Sequence, residues 1–263
     1  LTYKNNQKLQ NFIKKIKTSK KEINFTAIDG TIHSLWKISS LDQINIISVY
    51  FKSIPFLYIA DGHHRAASAS RVQKIRQKEN KNHNGDEAYN FFLGAIFPDN
   101  EMQILDYNRV IKDLGELNEL SFLKAVSKYF DVSSCAPLLK PTISHTFSML
   151  LNNKWYQLNA KDNIKSNHPV EGLPASILQK HILSDILNIN DPRLDNRIDF
   201  VGGIRGLKEL ERRCNNDCIL AFALPPITID QLLLVADSGK VMPPKSTWFE
   251  PKLRSGIVTY LLD

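Results

Sequence analysis

The residues of this chain best suited to chemistry are Asp61-Gly62-His63-His64-Arg65. A short apolar run, 56–60, precedes them and reads as a buried strand. The small residues Ala66, Ala67, Ser68 and Ala69 follow and open a slim helix. Glycine at position 62 permits an unusual backbone conformation or close approach to a ligand. The free N–H groups of the helix start then point at whatever sits in the turn. Arg65 can grip a phosphate or carboxylate in bidentate fashion, and His63 and His64 can donate hydrogen bonds or move protons near neutral pH. The turn is therefore expected to bind an anion. The plain alternative is that Asp61 caps the helix and the histidines are satisfied polar groups in a loop. Metal binding by these residues is disfavoured, because adjacent histidines diverge and no third ligand stands at suitable spacing.

Two further stretches carry candidate chemistry. The loop 242–256 mixes Lys245, Ser246, Thr247, Trp248, Glu250, Lys252 and Arg254 with prolines that stiffen it, a dense set of functional groups for a connection. Lys245-Ser246-Thr247 lacks the preceding glycines of a phosphate loop, so it is no Walker motif. A rigid loop that packs Trp248 and Phe249 inward is the competing reading. The stretch 199–206 places Gly202, Gly203 and Arg205 between an expected strand and helix, a second candidate anion turn. Asp199 there could instead be a structural hydrogen-bond acceptor.

The elements that must position these groups follow from periodicity and turn chemistry. Residues 1 to about 20 read as a helix with Leu9, Phe12, Ile13 and Ile16 on one face. Residues 25–38 read as a hairpin around Asp29-Gly30, and 44–51 as a short helix. A helix over 66–78 leads into a polar loop, 78–87. Strands are expected at 91–97 and 102–107, a helix at 119–129, and a hairpin around Asn152-Asn153 within 138–165. Beyond it, helices (175–187, 207–214, 229–236) alternate with strands (198–201, 219–224, 257–262). Such alternation predicts an α/β fold with α+β character, its sheets mixed or mainly parallel and flanked by helices. Two regions, 1–135 and 136–263, are expected, or one continuous domain.

Composition excludes several classes. The chain has 263 residues, 43% hydrophobic and 23% charged, enough for a sizeable core and too apolar for wholesale disorder. Part of the +7 net charge comes from Lys14, Lys15, Lys17, Lys20 and Lys21, which read as a solvated helix face. No basic recognition helix with interleaved polar readers is evident, so DNA is disfavoured. Cys135, Cys214 and Cys218 are too few and scattered for a disulfide framework. With no signal peptide and no membrane-length apolar run, a cytoplasmic location is expected. The chain begins at Leu1 and not Met, which reads as a fragment or a processed form.

Taken together, the stretches resemble the domain-of-unknown-function family 1015 (DUF1015). The resemblance lies in LYIADGHHRAASA (57–69), FFLGAIFPDNEMQILDYNRVIKDL, DPRLDNRIDFVGGIRGLKELE and MPPKSTWFEPKLRSG, and runs from near Tyr3 to the last residue. The DGHHR box is similar to the phosphate-binding box of the ParB/sulfiredoxin-like superfamily, which includes SerK-type free-serine kinases. The resemblance implies a ParB/sulfiredoxin-like element around the box and a cytoplasmic, nucleotide-dependent kinase of free L-serine or a similar small hydroxylated metabolite. It implies ATP or ADP, and Mg²⁺, as cofactors. Asp61, Gly62, His63, His64 and Arg65 carry over to the phosphate-binding box. Family members have a further N-terminal region before the position of Leu1, with a charged His-Glu-containing stretch. In SerK-type enzymes a catalytic carboxylate lies there.

Phosphoryl transfer requires charge neutralisation, in-line positioning and a base for the hydroxyl. Arg65, the helix N-terminus and Mg²⁺ would neutralise charge, and His63 or His64 would hold a phosphate. Asp61 would hold Mg²⁺ or accept the serine hydroxyl proton. Gly202, Gly203 and Arg205 are candidates for further phosphate contacts. Lys245, Ser246, Thr247, Trp248, Lys252 and Arg254 are candidates for substrate binding, and Glu250 for the substrate ammonium. A non-catalytic, nucleotide-binding regulatory module of ParB-like type is the alternative, and a homodimer is compatible with either. A hydrolase built on the histidine pair lacks a nucleophile elbow.

Overall fold

The computed structural model describes residues 1–135 and 140–261. Its contacts divide the chain into two compact units. The first comprises residues 1–102 with those from 253 onward, the second residues 103–252. The expected boundary after Cys135 falls inside the second unit.

In the first unit, β1 (Thr2–Tyr3) leads into α1 (Gln7–Ile16). Asn6 caps α1 by accepting the N–H groups of Lys8 and Leu9, and the helix buries Leu9 and Ile16. The strands β2 (Ile23–Thr26) and β3 (Ile32–Leu35) form the expected antiparallel hairpin. Asp29 accepts the Thr31 N–H in its turn. Next come α2 (Leu41–Lys52), α3 (His63–Glu79) and β4 (Phe97–Pro98), which pairs in parallel with β1. Tyr3 is buried and meets the Phe51 ring edge-on at 5.4 Å.

Two strand expectations fail here. The run 56–60 makes only one antiparallel bridge, Thr2 to Tyr58, and Phe56, Leu57 and Ile59 are exposed. β1 is two residues long and already pairs with β4, so it can template no longer ladder for 56–60. In 91–97 only Phe97 joins a strand, while Phe91, Phe92, Leu93 and Ile96 are exposed. An apolar run is a strand only where a neighbour satisfies its N–H and C=O groups.

The second unit opens with β5 (Gln103–Leu105), β6 (Tyr107–Ile111), α4 (Glu119–Val126) and β7 (Phe130–Ser134). The hairpin β8 (Thr146–Leu151) and β9 (Lys154–Ala160) turns at Asn152 and Asn153, both at positive φ (45° and 63°), as a two-residue hairpin turn requires. The segments α5 (Pro174–Leu178), continued by a π-helical turn at Gln179–Ser184, β10 (Ile198–Gly202), α6 (Gly206–Asn216), β11 (Leu220–Ala223), α7 (Ile229–Asp237) and β12 (Trp248–Glu250) complete it. Six strands form one sheet in the order β10-β6-β11-β8-β9-β7.

The fold class is mixed α/β, as expected, but every pairing in the large sheet is antiparallel. The alternation of strands and helices is real, since α6 connects β10 to β11. These two strands run in the same direction, yet β6 lies between them and pairs with both in the opposite sense. A strand inserted from earlier in the chain leaves no trace in local periodicity.

Sheet residues alternate between two cores. Ile111, Met149, Leu220 and Phe222 pack on one face, and Val110, Leu150, Val201 and Ala221 on the other with Leu210 of α6. The strand expected at 257–262 is absent over 257–261, which are turn and irregular backbone. Leu262 lies outside the described residues. The late strand that does form is β12, which pairs with β5 and buries Phe249.

Candidate functional site

The turn before α3 is built around Gly62. Its φ of 81° and ψ of 29° are left-handed, and it serves as the helix N-cap. Non-glycine residues adopt this conformation at a cost, which explains glycine here. Asp61 does not cap the helix. Its carboxylate accepts the Gly62 N–H at 2.7 Å, one residue too early. No side chain caps α3, so the N–H groups of its first turn face outward with the positive end of the helix dipole. Ala66 donates to the Gly62 carbonyl and closes the first helical turn.

Asp61, His63, His64 and Arg65 are all exposed, and a Cβ on Gly62 would meet nothing within 4 Å. A donor-rich helix start, a guanidinium and two imidazoles are thus exposed along one turn, and a side chain at Gly62 would meet only open space. A groove continues along the same helix, lined by Ala67, Ser70, Arg71, Lys74, Ile75 and Lys78. The spacing of these residues puts them on one side of α3. Arg254, the last cation of the candidate substrate loop, belongs to this first unit and is exposed. Its charge helps hold the Asp29 carboxyl low, after the hydrogen bonds from Thr31.

The other candidates lie in the second unit. Gly202 and Gly203 are there because neighbours leave no room. A Cβ on Gly202 would come within 2.3 Å of the Trp248 ring, and one on Gly203 within 2.5 Å of the Asp106 carboxylate. The Gly203 N–H is given to the Asp106 carbonyl at 2.8 Å. Packing therefore accounts for both glycines. Arg205 is exposed and lies 3.8 Å from Glu209.

The loop leading into β12 is a web of rings and cations. Lys245, at a left-handed φ of 55°, holds its ammonium 5.4 Å from the Tyr107 ring centre. Trp248 meets Tyr107 at 5.5 Å and donates its indole N–H to Glu250 at 2.8 Å. Lys252 covers the Trp248 ring at 5.3 Å, and its N–H goes to the other Glu250 oxygen. Ser246 donates to the Pro243 carbonyl, and Thr247 is half-buried. Both oxygens of Glu250 thus have partners within its own loop.

Sequence reasoning passed over Asp106, Asn108 and Arg109, all buried in the second unit. Asp106 pairs with Lys140 at 2.5 Å and accepts from the Asn108 amide at 2.6 Å. Asn108 in turn accepts the Leu224 N–H at 3.0 Å. The available signal was three polar residues across both faces of a run that otherwise reads as a strand, DYNRVI.

This architecture is that of a mixed α/β protein with an exposed, glycine-dependent turn at a helix start. The chain belongs to the family described as protein of unknown function (DUF1015), whose family model matches residues 1–176. No curated protein matches it. Among solved structures, a free serine kinase mutant in complex with AMP is similar at 14% identity and a TM-score of 0.40, over 94% of this chain and 82% of that one. A free serine kinase mutant in complex with ADP gives a TM-score of 0.41 at the same identity and coverage. A conserved hypothetical protein from Pyrococcus furiosus is 16% identical over 94% of this chain and 85% of that one, with a TM-score of 0.39. No helix among the described residues is long and apolar enough to cross a membrane.

Proposed function

We propose that this protein is a nucleotide-dependent phosphotransferase acting on free L-serine or a similar small hydroxylated metabolite, with Asp61-Gly62-His63-His64-Arg65 as its phosphate cradle. The observation that carries the reading is the uncapped start of α3 behind the left-handed Gly62, with Arg65 and both histidines exposed around it. Oxyanions bind such helix starts through backbone N–H groups and the dipole. Arg65 adds a bidentate contact, and His63 and His64 donate to the remaining phosphate oxygens. The resemblance of the box to that of SerK-type kinases supports ATP or ADP as the ligand.

Mg²⁺ fits the same reading. Asp61 is the box's carboxylate, and no group of three or more His, Cys, Asp or Glu side chains converges among the described residues. A Mg²⁺ held at Asp61 would take its other ligands from phosphate and water, its usual habit with nucleotides. Arg254, which lies in the same unit as the box, remains a candidate for substrate contacts. The thiols of Cys135, Cys214 and Cys218 are free, which suits a reducing compartment such as the cytoplasm.

One observation favours a second reading. Asp61 already accepts the Gly62 N–H, so a non-catalytic module that binds nucleotide without turning it over fits the same turn. Turnover separates the two. Incubation with ADP or ATP, Mg²⁺ and each amino acid, followed by mass spectrometry, is expected to give a phosphorylated product with serine. Nucleotide binding without any phosphorylated product would favour the module.

A further inference from the structure

The buried polar side chains of the second unit, Asp106, Asn108, Arg109 and Ser148, stand close together in the register of the large sheet. Three of them have accounts within the protein. Asp106 and Asn108 satisfy each other, Lys140 and the Leu224 N–H, and Ser148 has contacts of its own. Arg109 has no such account. It lies in β6 between β10 and β11, directly opposite Phe200 on one side and Phe222 on the other. It is 4% exposed. Its guanidinium donates to the Tyr107 carbonyl of its own strand and lies 5.5 Å from the Phe200 ring centre. No carboxylate pairs with it among the described residues.

A buried cation without a counter-charge is costly, and a fold keeps one only where something compensates. Burial lowers the Arg109 guanidinium to about 10, so it is still charged at neutral pH. The rings beside it lead outward. Tyr107 lies 6.0 Å from Phe200 and 5.5 Å from Trp248. Over Tyr107 stands the exposed Lys245, held at positive φ, a backbone state that non-glycine residues keep mainly where surroundings demand it.

We infer that Arg109 anchors a second binding site, for the carboxylate or phosphate group of a small metabolite, with Lys245 as an outer cation and Tyr107, Phe200 and Trp248 as an aromatic collar. The guanidinium presents paired N–H donors matched to two oxygens of either group. The collar keeps water away and so strengthens the ion pair. The site rests on residues of the second unit alone and does not depend on the nucleotide reading of the turn before α3.

The test is a thermal-unfolding titration with sodium phosphate and, separately, sodium acetate, each at constant ionic strength set with chloride. With the cradle weakened in Arg65→Ala, one of the two anions is expected to raise Tm with concentration, and the responding anion identifies the group bound. Arg109→Met added to Arg65→Ala is expected to unfold at the same temperature or higher without anion, because an uncompensated buried charge is gone, and to lose the response. No response to either anion in Arg65→Ala would overturn the site. So would a response that survives in the double variant. If Arg109→Met does not fold, the side-chain Nε–H resonance of Arg109 in the wild type serves instead. It is expected to shift on adding the responding anion, and an unmoved resonance would overturn the proposal.

Discussion

Gly62 and Gly202 are both required, for different physical reasons. Gly62 needs its left-handed backbone but has open space around it. Gly62→Ala should therefore cost about 1–2 kcal/mol, the usual penalty for a side chain in that region, measured as a shift in denaturant midpoint. It should also weaken nucleotide binding, since the first turn of α3 is aimed by this residue. Gly202 has an ordinary extended backbone (φ −64°) but no space. Gly202→Ala drives a methyl into the Trp248 ring, and overpacking of this kind costs about 1–3 kcal/mol. Near-ultraviolet circular dichroism should change with it, because Trp248 must move off Tyr107. A Gly202→Ala protein with unchanged stability and an unchanged aromatic spectrum would contradict the packing account.

Helices and strands whose signals are local were legible in the sequence. The hairpin at Asp29-Gly30 and the one at Asn152-Asn153 announce themselves through turn residues that tolerate positive φ. Helix α7 begins where Thr228 and Gln231 form a reciprocal capping box. Thr228→Ala should cost about 1 kcal/mol, read from chemical denaturation, and Thr228→Ser should restore most of it. What depends on distant partners was not legible. The apolar runs 56–60 and 91–96 look like strands but find almost no ladder. The direction of the large sheet is set by β6, which enters between β10 and β11 from far earlier in the chain. At the candidate site, Gly62 and Arg65 could be read from residue type and order. Arg109 could not, because its burial with no paired carboxylate among the described residues shows only in the packed sheet.

Across the whole molecule, titratable groups set the direction in which stability responds to acid. Asp191 is held down to about 2, chiefly by hydrogen bonds from Arg193. Hydrogen bonds from Arg197 likewise lower Asp195, and Arg213 with the Phe200 N–H lowers Asp199 against its burial. A carboxylate lowered in the folded state adds stability above its unfolded value, and that stability is lost as pH falls through the folded value. His181 and His145 are lowered from 6.5, mainly by burial. Below pH 6.5 the unfolded chain takes up these protons more readily than the folded one, so stability declines there too. The denaturant midpoint should therefore drop in two stages. The first begins as pH falls through 6.5, and the second runs from about 4 toward 2 as the carboxylates protonate. A midpoint that is flat from pH 7 to 4 would contradict the lowering of the two histidines.

The net charge of +7 favours anionic ligands in general and singles out no site. The decisive measurement is isothermal titration calorimetry of ADP and ATP with Mg²⁺ against the wild type and Arg65→Ala. Arg65 is exposed, so its replacement should leave the fold intact. The account predicts saturable heat for the wild type with at least one nucleotide and none for Arg65→Ala at the same concentrations. Equal binding by the two proteins would contradict the assignment of Asp61-Gly62-His63-His64-Arg65 as the phosphate cradle.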